Sequence, residues 1–390
     1  MMKPSVTSIL FIIDSLCCGG AEKSLISLLP LIDYERYEVD LLIFNRGGVF
    51  EKYVPQQVNI IEGYEIYADR RMDRVRKSIC QAYFSLQVRL NSSRHGAEKH
   101  WRAMNSVIKP LAGEYDVAIA YQQGLPTFFL ATKVNAGKKI SWINADVYAV
   151  GYDMDYCKQF YDKLDTVVAV SETLKDKLMS QSPWMKNKVT CIYDIVNPEV
   201  IRRLSKETVN DMPSQQKSLS IVTVGRLTKP KNHLMAVKAA ALLKSRQVDF
   251  KWYFVGEGEM RPSIEKAIVA EGLQGQVILL GLKENPYPYM ALADIYVQTS
   301  SFEGFGLTIA EAKILRKPVV STNFDVVYDQ IADGQNGLIA EMTPDSVADK
   351  IMELLQDEEL RSRIIRNLEQ EINITAISEV RKFHEMISDE

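Results

Sequence analysis

Residues 300–311 read Ser-Ser-Phe-Glu-Gly-Phe-Gly-Leu-Thr-Ile-Ala-Glu, and they join two apolar segments, residues 294–298 and residues 307–315. The first segment is typical of a buried strand and the second of a buried helix. Glu303 therefore lies on a turn between a strand and a helix, and two glycines on that turn let a ligand approach the backbone closely. Free N–H groups at a helix start favour an anion. The stretch predicts a loop that holds a sugar hydroxyl with Glu303 and a phosphate with its backbone.

Segments typical of strands and of helices alternate along the whole chain, which predicts parallel sheets with helices on both faces. Strands are expected near residues 7–13, 38–44, 57–61, 115–120, 138–143, 165–170, 189–193, 219–225, 251–256, 276–280, 294–298 and 318–321. Helices are expected at residues 21–31, 171–179, 344–356, 358–371 and 374–388, among others. A chain of 390 residues is too long for one ordinary core. We therefore predict an α/β protein of two Rossmann-like, doubly wound parallel-sheet domains that face a central cleft, where parallel sheets bind ligands.

The charge balance and the cysteines limit the classes of protein. The net charge of −3 gives no global attraction to nucleic acid, so we predict no nucleic-acid partner. Five cysteines without a Cys-x-x-Cys spacing indicate reduced thiols in a cytoplasm rather than disulfides or a zinc site. The N-terminus is interpreted as a first strand rather than a signal peptide, because Asp14 interrupts its short apolar core. No apolar run reaches the roughly 18 residues of a membrane span.

One segment, residues 69–109, breaks the alternation and is basic. It carries ten Lys or Arg against three acids, with Tyr83, Phe84 and Trp101 between them. The pattern predicts a partly amphipathic helical insert. It is either a solvated helical face or a surface that docks on anionic lipid or on a lipid-phosphate acceptor.

Three further motifs lie at the expected ends of strands. Gly19-Gly20-Ala21-Glu22 opens the first helix, where a phosphate could sit, although many helices start after glycine. Residues 224–232 place Arg226, Lys229 and Lys231 after the first strand of the second domain. Two such cations could carry the charge of a departing diphosphate without a metal, although the segment could also be a plain basic loop, as is expected of Lys229. Residues 254–261 contain Gly-Glu-Gly, half of a dinucleotide fingerprint, which is interpreted as a tight turn beside a nucleotide.

Other chemistries find little support in the sequence. Asp153-Met154-Asp155 has the Asp-x-Asp spacing of metal-dependent sugar transferases, but such pairs are common by chance among 50 acidic residues, so we interpret it as a surface feature. Walker, Gly-x-Ser-x-Gly and His-Glu-x-x-His motifs do not occur, and the four histidines lack metal-ligand spacing. These absences argue against a hydrolase triad and a zinc enzyme.

The order and spacing of the motifs resemble the retaining GT-B glycosyltransferases of family 4, most specifically between Ile221 and Ile339. The motifs that carry the resemblance are Val224-Gly225-Arg226-Leu227, Lys231-Asn232, Val255-Gly256-Glu257-Gly258, Leu280-Gly281, Ser301-Phe302-Glu303-Gly304-Phe305-Gly306, Glu311-Ala312, Lys317-Pro318-Val319-Val320 and Asn336-Gly337-Leu338. The first half matches more loosely, through Gly19-Gly20-Ala21-Glu22, Tyr115-Asp116-Val117 and Val168-Ala169-Val170-Ser171. Two segments of the second half, Asn285-Pro286-Tyr287 and Asp329-Gln330-Ile331, resemble bacterial capsule, exopolysaccharide, teichoic acid and other cell-wall enzymes.

The resemblance implies roles for individual residues. Glu303, with Arg226 and Lys231 on the donor diphosphate, would form the catalytic set, and Glu311 would hold the ribose of the nucleotide. Further donor contacts are expected from Gly19, Gly20, Gly225, Gly256, Leu282, Lys283, Gly304, Phe305, Gly306, Leu307 and Thr308. Where the family often has a histidine, this chain has Asn144, which cannot titrate near neutral pH. Asn144 and Asp146 are therefore candidate acceptor or sugar contacts.

The resemblance also implies a division of labour between the domains. Residues 1–195 would form the acceptor domain with the basic insert, residues 196–218 a linker, and residues 219–372 the nucleotide-sugar domain. Residues 373–390 would form a C-terminal helix that packs back on the first domain.

The expected activity is retaining transfer of a hexosyl group from a nucleotide sugar, a UDP-sugar, to a glycan or lipid-linked acceptor. Neither a metal nor another cofactor is expected. The expected location is cytoplasmic, peripheral on the inner face of the cell membrane. A GT-B nucleotide-sugar epimerase or hydrolase, and a non-catalytic partner subunit, remain as alternatives.

Overall fold

The computed structural model describes residues 6–17, 19–63, 78–85, 95–213, 218–371 and 374–388. It divides into two compact units. The first unit comprises Met1–Ile195 together with Ile377–Glu390, and the second comprises Val196–Ala376.

The first unit is built on a seven-stranded parallel sheet with the strand order β3-β2-β1-β4-β5-β6-β7. Its strands are β1 (Thr7–Ser15), β2 (Tyr37–Asn45), β3 (Asn59–Glu62), β4 (Glu114–Ala120), β5 (Asn135–Ile143), β6 (Thr166–Ala169) and β7 (Val189–Cys191). Its helices include α1 (Gly20–Leu28), α2 (Gly96–Met104), α3 (Leu125–Lys133), α4 (Met154–Tyr161) and α5 (Glu172–Gln181). The apolar run of β1 forms its centre, and residues 9–13 are completely buried because helices cover both faces of a parallel sheet.

The basic segment contributes to this core. Residues 78–85 are helical, and α2 follows. Trp101 on α2 is only 3% exposed, and its ring centroid lies 6.1 Å from that of Phe128. This aromatic side chain is therefore a core residue and is not available to a lipid surface. Residues 69–77 and 86–94, which carry most of the predicted positive charge, lie outside the described residues.

The end of the chain completes the first unit. The helix α13 (Ile374–Ile387) carries Phe383, which is fully buried with its ring centroid 6.1 Å from that of Phe11 on β1. Glu379, 3% exposed, accepts a hydrogen bond from the backbone N–H of Tyr193 at 2.9 Å. The last turns of the chain thus close the face of a sheet whose strands lie in the first 195 residues.

The second unit is built on a six-stranded parallel sheet with the strand order β10-β9-β8-β11-β12-β13. Its strands are β8 (Leu219–Val224), β9 (Phe250–Val255), β10 (Val277–Gly281), β11 (Ile295–Gln298), β12 (Val319–Thr322) and β13 (Leu338–Ala340). The described helices of this unit are α6 (Pro198–Leu204), α7 (His233–Ser245), α8 (Arg261–Ala270), α9 (Tyr287–Leu292), α10 (Leu307–Ile314), α11 (Pro344–Gln356) and α12 (Glu358–Gln370). The strand order reverses between β8 and β11. Ligands of open parallel sheets bind at such a switch point, beyond the carboxyl ends of the strands.

Two details differ from the sequence prediction. The predicted linker, residues 196–218, contains the helix α6. Asn197 caps this helix, because its side-chain oxygen accepts hydrogen bonds from the backbone N–H groups of Glu199 and Val200. Asn285 donates to the carbonyl of Leu204 at 2.9 Å, so this helix is fixed to the second unit. The prediction also missed β13, a strand of three residues. Among the described residues, no helix is both long enough and apolar enough to cross a bilayer.

Candidate functional site

Glycines bring the ends of β8 and β9 into backbone contact. Gly256 has a φ of 151°, and a Cβ atom there would lie 1.9 Å from the carbonyl oxygen of Gly225. Its N–H donates to the carbonyl of Gly281 at the end of β10. The tight turn that the Gly-Glu-Gly motif predicts is therefore present, and it fixes the loop that carries Arg226 and Lys231.

The loop after β8 is bound to the loop after β11. The N–H of Ser301 donates to the carbonyl of Pro230 at 2.8 Å. The hydroxyl of Thr299, which is fully buried, donates to the carbonyls of Lys231 and Asn232, both at 3.1 Å. These bonds hold the two loops side by side across the switch point.

Three hydrogen-bond donors converge on one oxygen of Glu303. Its Oε1 lies 2.5 Å from Lys231 Nζ, 2.6 Å from Gln298 Nε2 and 2.7 Å from Ser300 Oγ. The Glu303 side chain is 12% exposed. Its second oxygen, Oε2, has no partner among the described residues. The carboxylate is therefore fixed through one oxygen, while the other accepts no hydrogen bond from the described residues.

The two predicted cations are placed differently. The side chain of Lys231 runs beside Gly225 and ends on Glu303, with 23% of it exposed. Arg226 is exposed, and its guanidinium contacts no acceptor in the parts of the chain that the structure describes. The loop thus presents one cation held against the carboxylate and one turned to solvent.

The start of α10 is shaped by Gly306, which has a φ of 87° and a ψ of 47°. Gln330 donates from Nε2 to the carbonyl oxygens of Phe305 and Gly306 and holds the turn in place. The first N–H groups of a helix have no partner within it, so those of Leu307 and Thr308 suit an anion. Sequence reasoning missed Gln330, although it lies in a motif that carried the family resemblance.

Glu311 lies inside α10 and is 1% exposed. Its Oε1 accepts a hydrogen bond from the hydroxyl of Tyr287 at 3.0 Å. Tyr287 belongs to the Asn-Pro-Tyr motif, which the sequence analysis noted without assigning it a role. The tyrosine fixes the orientation of the carboxylate that we expect to meet the ribose.

The residues expected beside the nucleobase divide into two environments. Leu282, just after β10, is 48% exposed. Lys283 forms an ion pair with Asp211 at 2.5 Å and lies over the ring of Tyr289. The hydrogen bond with Asp211 raises the pKa of Lys283. The ammonium group of Lys283 is thus held by Asp211 in the segment after α6. Of the two residues expected beside the nucleobase, Leu282 is the one whose side chain is exposed at the end of β10.

A buried imidazole follows Lys231. His233 begins α7, is 2% exposed and packs against the ring of Phe254. Burial lowers the pKa of His233 to about 3, and the neighbouring Lys231 contributes to this lowering. The imidazole is therefore neutral at physiological pH and cannot act as a charged group at the site.

In the first unit, Gly19 caps α1 and Gly20 begins it. A Cβ atom on Gly19 would lie 2.1 Å from a carboxylate oxygen of Glu22, which folds back over the helix start.

Asp194 is 6% exposed, and its Oδ1 has no hydrogen-bond partner among the described residues. Burial raises the pKa of Asp194 to about 7, against a lowering by Ser24. Sequence reasoning missed Asp194, because nothing in its local pattern marks a buried acid.

Asn144 and Asp146 have different roles in the loop after β5. The backbone N–H of Asn144 donates to Gln123 Oε1 at 2.9 Å, while both polar atoms of its own amide are buried without a partner in the described structure. Asp146 accepts the N–H groups of Tyr148 and Ala149 and pairs with Lys177 at 2.6 Å. Asp146 thus braces the start of its own loop and joins it to α5, and its role as an acceptor or sugar contact stays a prediction.

The Asp-x-Asp pair has a structural role at one of its two positions. Asp153 caps α4, and its carboxylate accepts the N–H of Tyr156 at 3.1 Å. Asp155 lies exposed in the first turn of the same helix. This geometry explains the pair as a helix start.

Comparison with known proteins relates this chain to glycosyltransferases. Residues 205–371 match the family model described as glycosyl transferases group 1. The chain is 25% identical, over 90% of each chain, to N-acetylgalactosamine-N,N'-diacetylbacillosaminyl-diphospho-undecaprenol 4-alpha-N-acetylgalactosaminyltransferase of Campylobacter jejuni. It is also 25% identical to the capsular polysaccharide biosynthesis glycosyltransferase CapM of Staphylococcus aureus, over 59% of this chain and 62% of CapM.

The fold matches solved structures along its whole length. The crystal structure of Anabaena Alr3699/HepE in complex with UDP has a TM-score of 0.71 and 16% identity, covering 98% of this chain and all of that one. The two parallel-sheet domains are those of the GT-B glycosyltransferases, which confirms the predicted fold class. The family match and the relatives support a glycosyltransferase. Membership of family 4 and the stereochemistry of transfer stay predictions.

Proposed function

We propose that this chain is a retaining glycosyltransferase that moves a sugar from a UDP-sugar to a glycan or lipid-linked acceptor during synthesis of a bacterial cell-surface polysaccharide. The observation that carries the proposal is the geometry of Glu303. Three donors fix one of its oxygens, and the other is left to accept a hydroxyl of the transferred sugar. This carboxylate lies beyond the end of β11, beside the switch point of a nucleotide-binding type of sheet.

The diphosphate of the donor is assigned to the neighbouring cations and helix start. An ammonium group has three N–H donors, and Lys231 spends one of them on Glu303. The remaining two can meet phosphate oxygens, together with Arg226 and the N–H groups that begin α10. Fixed donors of this kind lower the barrier to departure of an anion by roughly 3–4 kcal/mol each. They would allow transfer without a metal ion, which is part of the proposal.

The transfer balances without a protein base. The bond between the anomeric carbon and the diphosphate oxygen breaks, and the acceptor hydroxyl attacks the same face of the sugar. The proton of that hydroxyl passes to the departing diphosphate oxygen, which leaves a glycoside and UDP. Asn144 stands where the family often has a histidine, and an amide cannot take this proton.

The names of the relatives support a cell-surface acceptor. The relative from Campylobacter jejuni acts, by its name, on a diphospho-undecaprenol, and CapM acts in capsular polysaccharide synthesis. We extend this to a lipid-linked or polysaccharide acceptor and to a location on the cytoplasmic face of the membrane. The proposed membrane contact rests on residues 69–109, whose described part already commits Trp101 to the core.

A screen of nucleotide sugars tests the proposal. UDP-sugars and other nucleotide sugars are compared by thermal shift, and the best hit is incubated with lipid-linked acceptors. We expect a glycoside whose anomeric configuration, measured by NMR, matches that of the donor. Inversion would contradict the retaining mechanism, and activity that requires manganese after chelation would contradict metal independence. Epimerisation or hydrolysis of the nucleotide sugar in the absence of an acceptor would favour a GT-B epimerase or hydrolase. Failure to bind any nucleotide sugar would favour a non-catalytic partner subunit.

A further inference from the structure

Gln298 is the last residue of β11 and is 2% exposed. Its carboxamide nitrogen donates to Glu303 Oε1 at 2.6 Å. Its sequence pattern alone predicts no role for this residue. Two side-chain nitrogens hold the carboxylate, and that of Gln298 is the neutral one, since the other belongs to Lys231.

Two hydroxyl groups fix the direction in which this amide points. Gln298 Oε1 accepts from the hydroxyl of Tyr296 at 2.7 Å and from that of Thr308 at 2.8 Å. A carboxylate can only accept hydrogen bonds, so the N–H side of the amide must face Glu303. The carbonyl side must then face the hydroxyls, which donate to it. The network joins β11, the turn that carries Glu303 and the start of α10.

The neutral donor has a consequence when a diphosphate is bound. Lys231 is expected to serve both the phosphates and Glu303, so its ammonium group is shared between the anion and the carboxylate. Gln298 carries no charge and is buried, so a bound diphosphate does not draw its amide away from Glu303. It continues to hold Oε1 while Lys231 is shared.

We propose that Gln298 is a positioning residue that holds Glu303 through Oε1 so that Oε2 faces the transferred sugar. This inference rests on the proposed function, in which Glu303 contacts the donor sugar. Gln298 itself touches no substrate in this proposal and acts through Glu303.

The variant Gln298→Met, which is close in shape to the wild-type side chain, tests the role in turnover. With UDP-glucose and UDP-N-acetylglucosamine as donors, UDP release is expected to show a kcat/KM lower by about 10- to 100-fold, the effect of losing one hydrogen bond to a charged group. The Kd for UDP, measured by calorimetry, should change less than about twofold. Thr223→Val is the matched control, because Thr223 is a buried residue of the neighbouring β8 whose hydroxyl bonds to Trp252 and to the carbonyl of Val297. It should lower stability while leaving kcat/KM unchanged.

The variant Gln298→Glu supplies a readout that a merely structural role would not move. When the introduced carboxyl group is protonated, it places an O–H where the amide N–H was. When it is ionised, it places a second carboxylate against that of Glu303. Repulsion between two such carboxylates favours a state in which they share one proton. The ammonium group of Lys231 acts in the opposite direction, because it stabilises the ionised form of both carboxylates. The activity relative to wild type is therefore expected to rise by about tenfold between pH 8 and pH 5.5. A ratio that is constant with pH would overturn the proposal.

Crystal structures of wild type and Gln298→Met decide the matter independently of activity. Rotation of the Glu303 carboxylate in the variant would support positioning, and an unchanged carboxylate would overturn it. If wild type turns over no nucleotide sugar, the proposed function fails, and this structural comparison still decides whether Gln298 positions Glu303. Tyr296→Phe is the second variant if Gln298→Met does not fold; it should lower kcat/KM by about 3- to 10-fold, and no loss would count against the network.

Discussion

Lys231 and Glu303 are 72 residues apart in the chain, and Nζ of the first lies 2.5 Å from Oε1 of the second. The pair joins the loop after β8 to the loop after β11 across the point where the strand order reverses. Each partner was expected to meet a different part of one donor molecule. Their direct contact means that the group proposed for the phosphates and the group proposed for the sugar are positioned together.

Replacement of Glu303 by Gln should lower turnover by about 100-fold or more. The introduced amide can keep the three donors on its carbonyl oxygen, but its nitrogen replaces the open acceptor Oε2. The fold should therefore survive while the sugar hydroxyl loses its partner. Initial rates and thermal unfolding check this result, with Glu353→Gln on α11 as the control. Turnover close to wild type would refute the role of Glu303.

Replacement of Lys231 by Ala should weaken binding of UDP by about 10- to 100-fold, because a charge-assisted contact to the phosphates is lost. It should also lower turnover, since Glu303 loses one of its three donors. Lys229 lies in the same turn and is exposed, so Lys229→Ala is the matched control for loss of positive charge. Calorimetry with UDP at two salt concentrations measures both variants. Equal affinities would show that Lys231 does not contact the diphosphate.

Asp194 should make the stability of the protein depend on pH. Burial raises its pKa from 3.8 to about 7, so between these values the folded state binds a proton that the unfolded state has lost. Stability therefore falls as the pH rises through this window, and the loss is complete above about pH 7. Asp194→Asn removes the buried charge and should be more stable than wild type at pH 8, by on the order of 3 kcal/mol, with little difference near pH 4.

Urea unfolding at several pH values measures this dependence. The exposed Asp176→Asn is the control in the same unit and should follow the wild-type curve. A gap between Asp194→Asn and wild type that is the same at pH 4 and pH 8 would contradict the prediction, because it would show that the carboxyl does not change its charge in the folded protein within this range.

Gly256→Ala should lower the free energy of unfolding by more than about 3 kcal/mol, because the new methyl group would overlap the carbonyl of Gly225 and the backbone would have to move. Gly275→Ala separates the cost of a positive φ from the cost of the steric overlap. Gly275 has a φ of 81° with open space around its Cβ position, so its cost should be only about 1 kcal/mol. Urea unfolding compares the two variants. Equal costs would mean that the contact between the strand ends is unimportant.

Much of the architecture could be predicted because it rests on local apolar patterns. The strands of both sheets are apolar runs bounded by polar turns, and expected and observed bounds differ by only a few residues. The exceptions follow from the same rule. The polar run after α6 predicts a linker, although Asn197-Pro198 is typical of a helix start.

The candidate site could be predicted residue by residue but not in its connections. The positions of Glu303 and Lys231 at strand ends follow from topology, whereas their contact requires the register of two loops. The same holds for Lys283, whose partner Asp211 lies 72 residues earlier. Gln298 looked like an ordinary strand residue, because an alternating pattern shows that a side chain is buried and not what it bonds to.

Residues 377–390 belong to the first unit, and this affects the order in which the two units can finish folding. The second unit is one continuous stretch and can fold as soon as it has left the ribosome. The first unit is synthesised earlier, yet it lacks Phe383 against Phe11 until the last helix emerges. The first unit is therefore completed only after the second has been synthesised, and a chain that lacked residues 377–390 would leave the apolar face around Phe11 open.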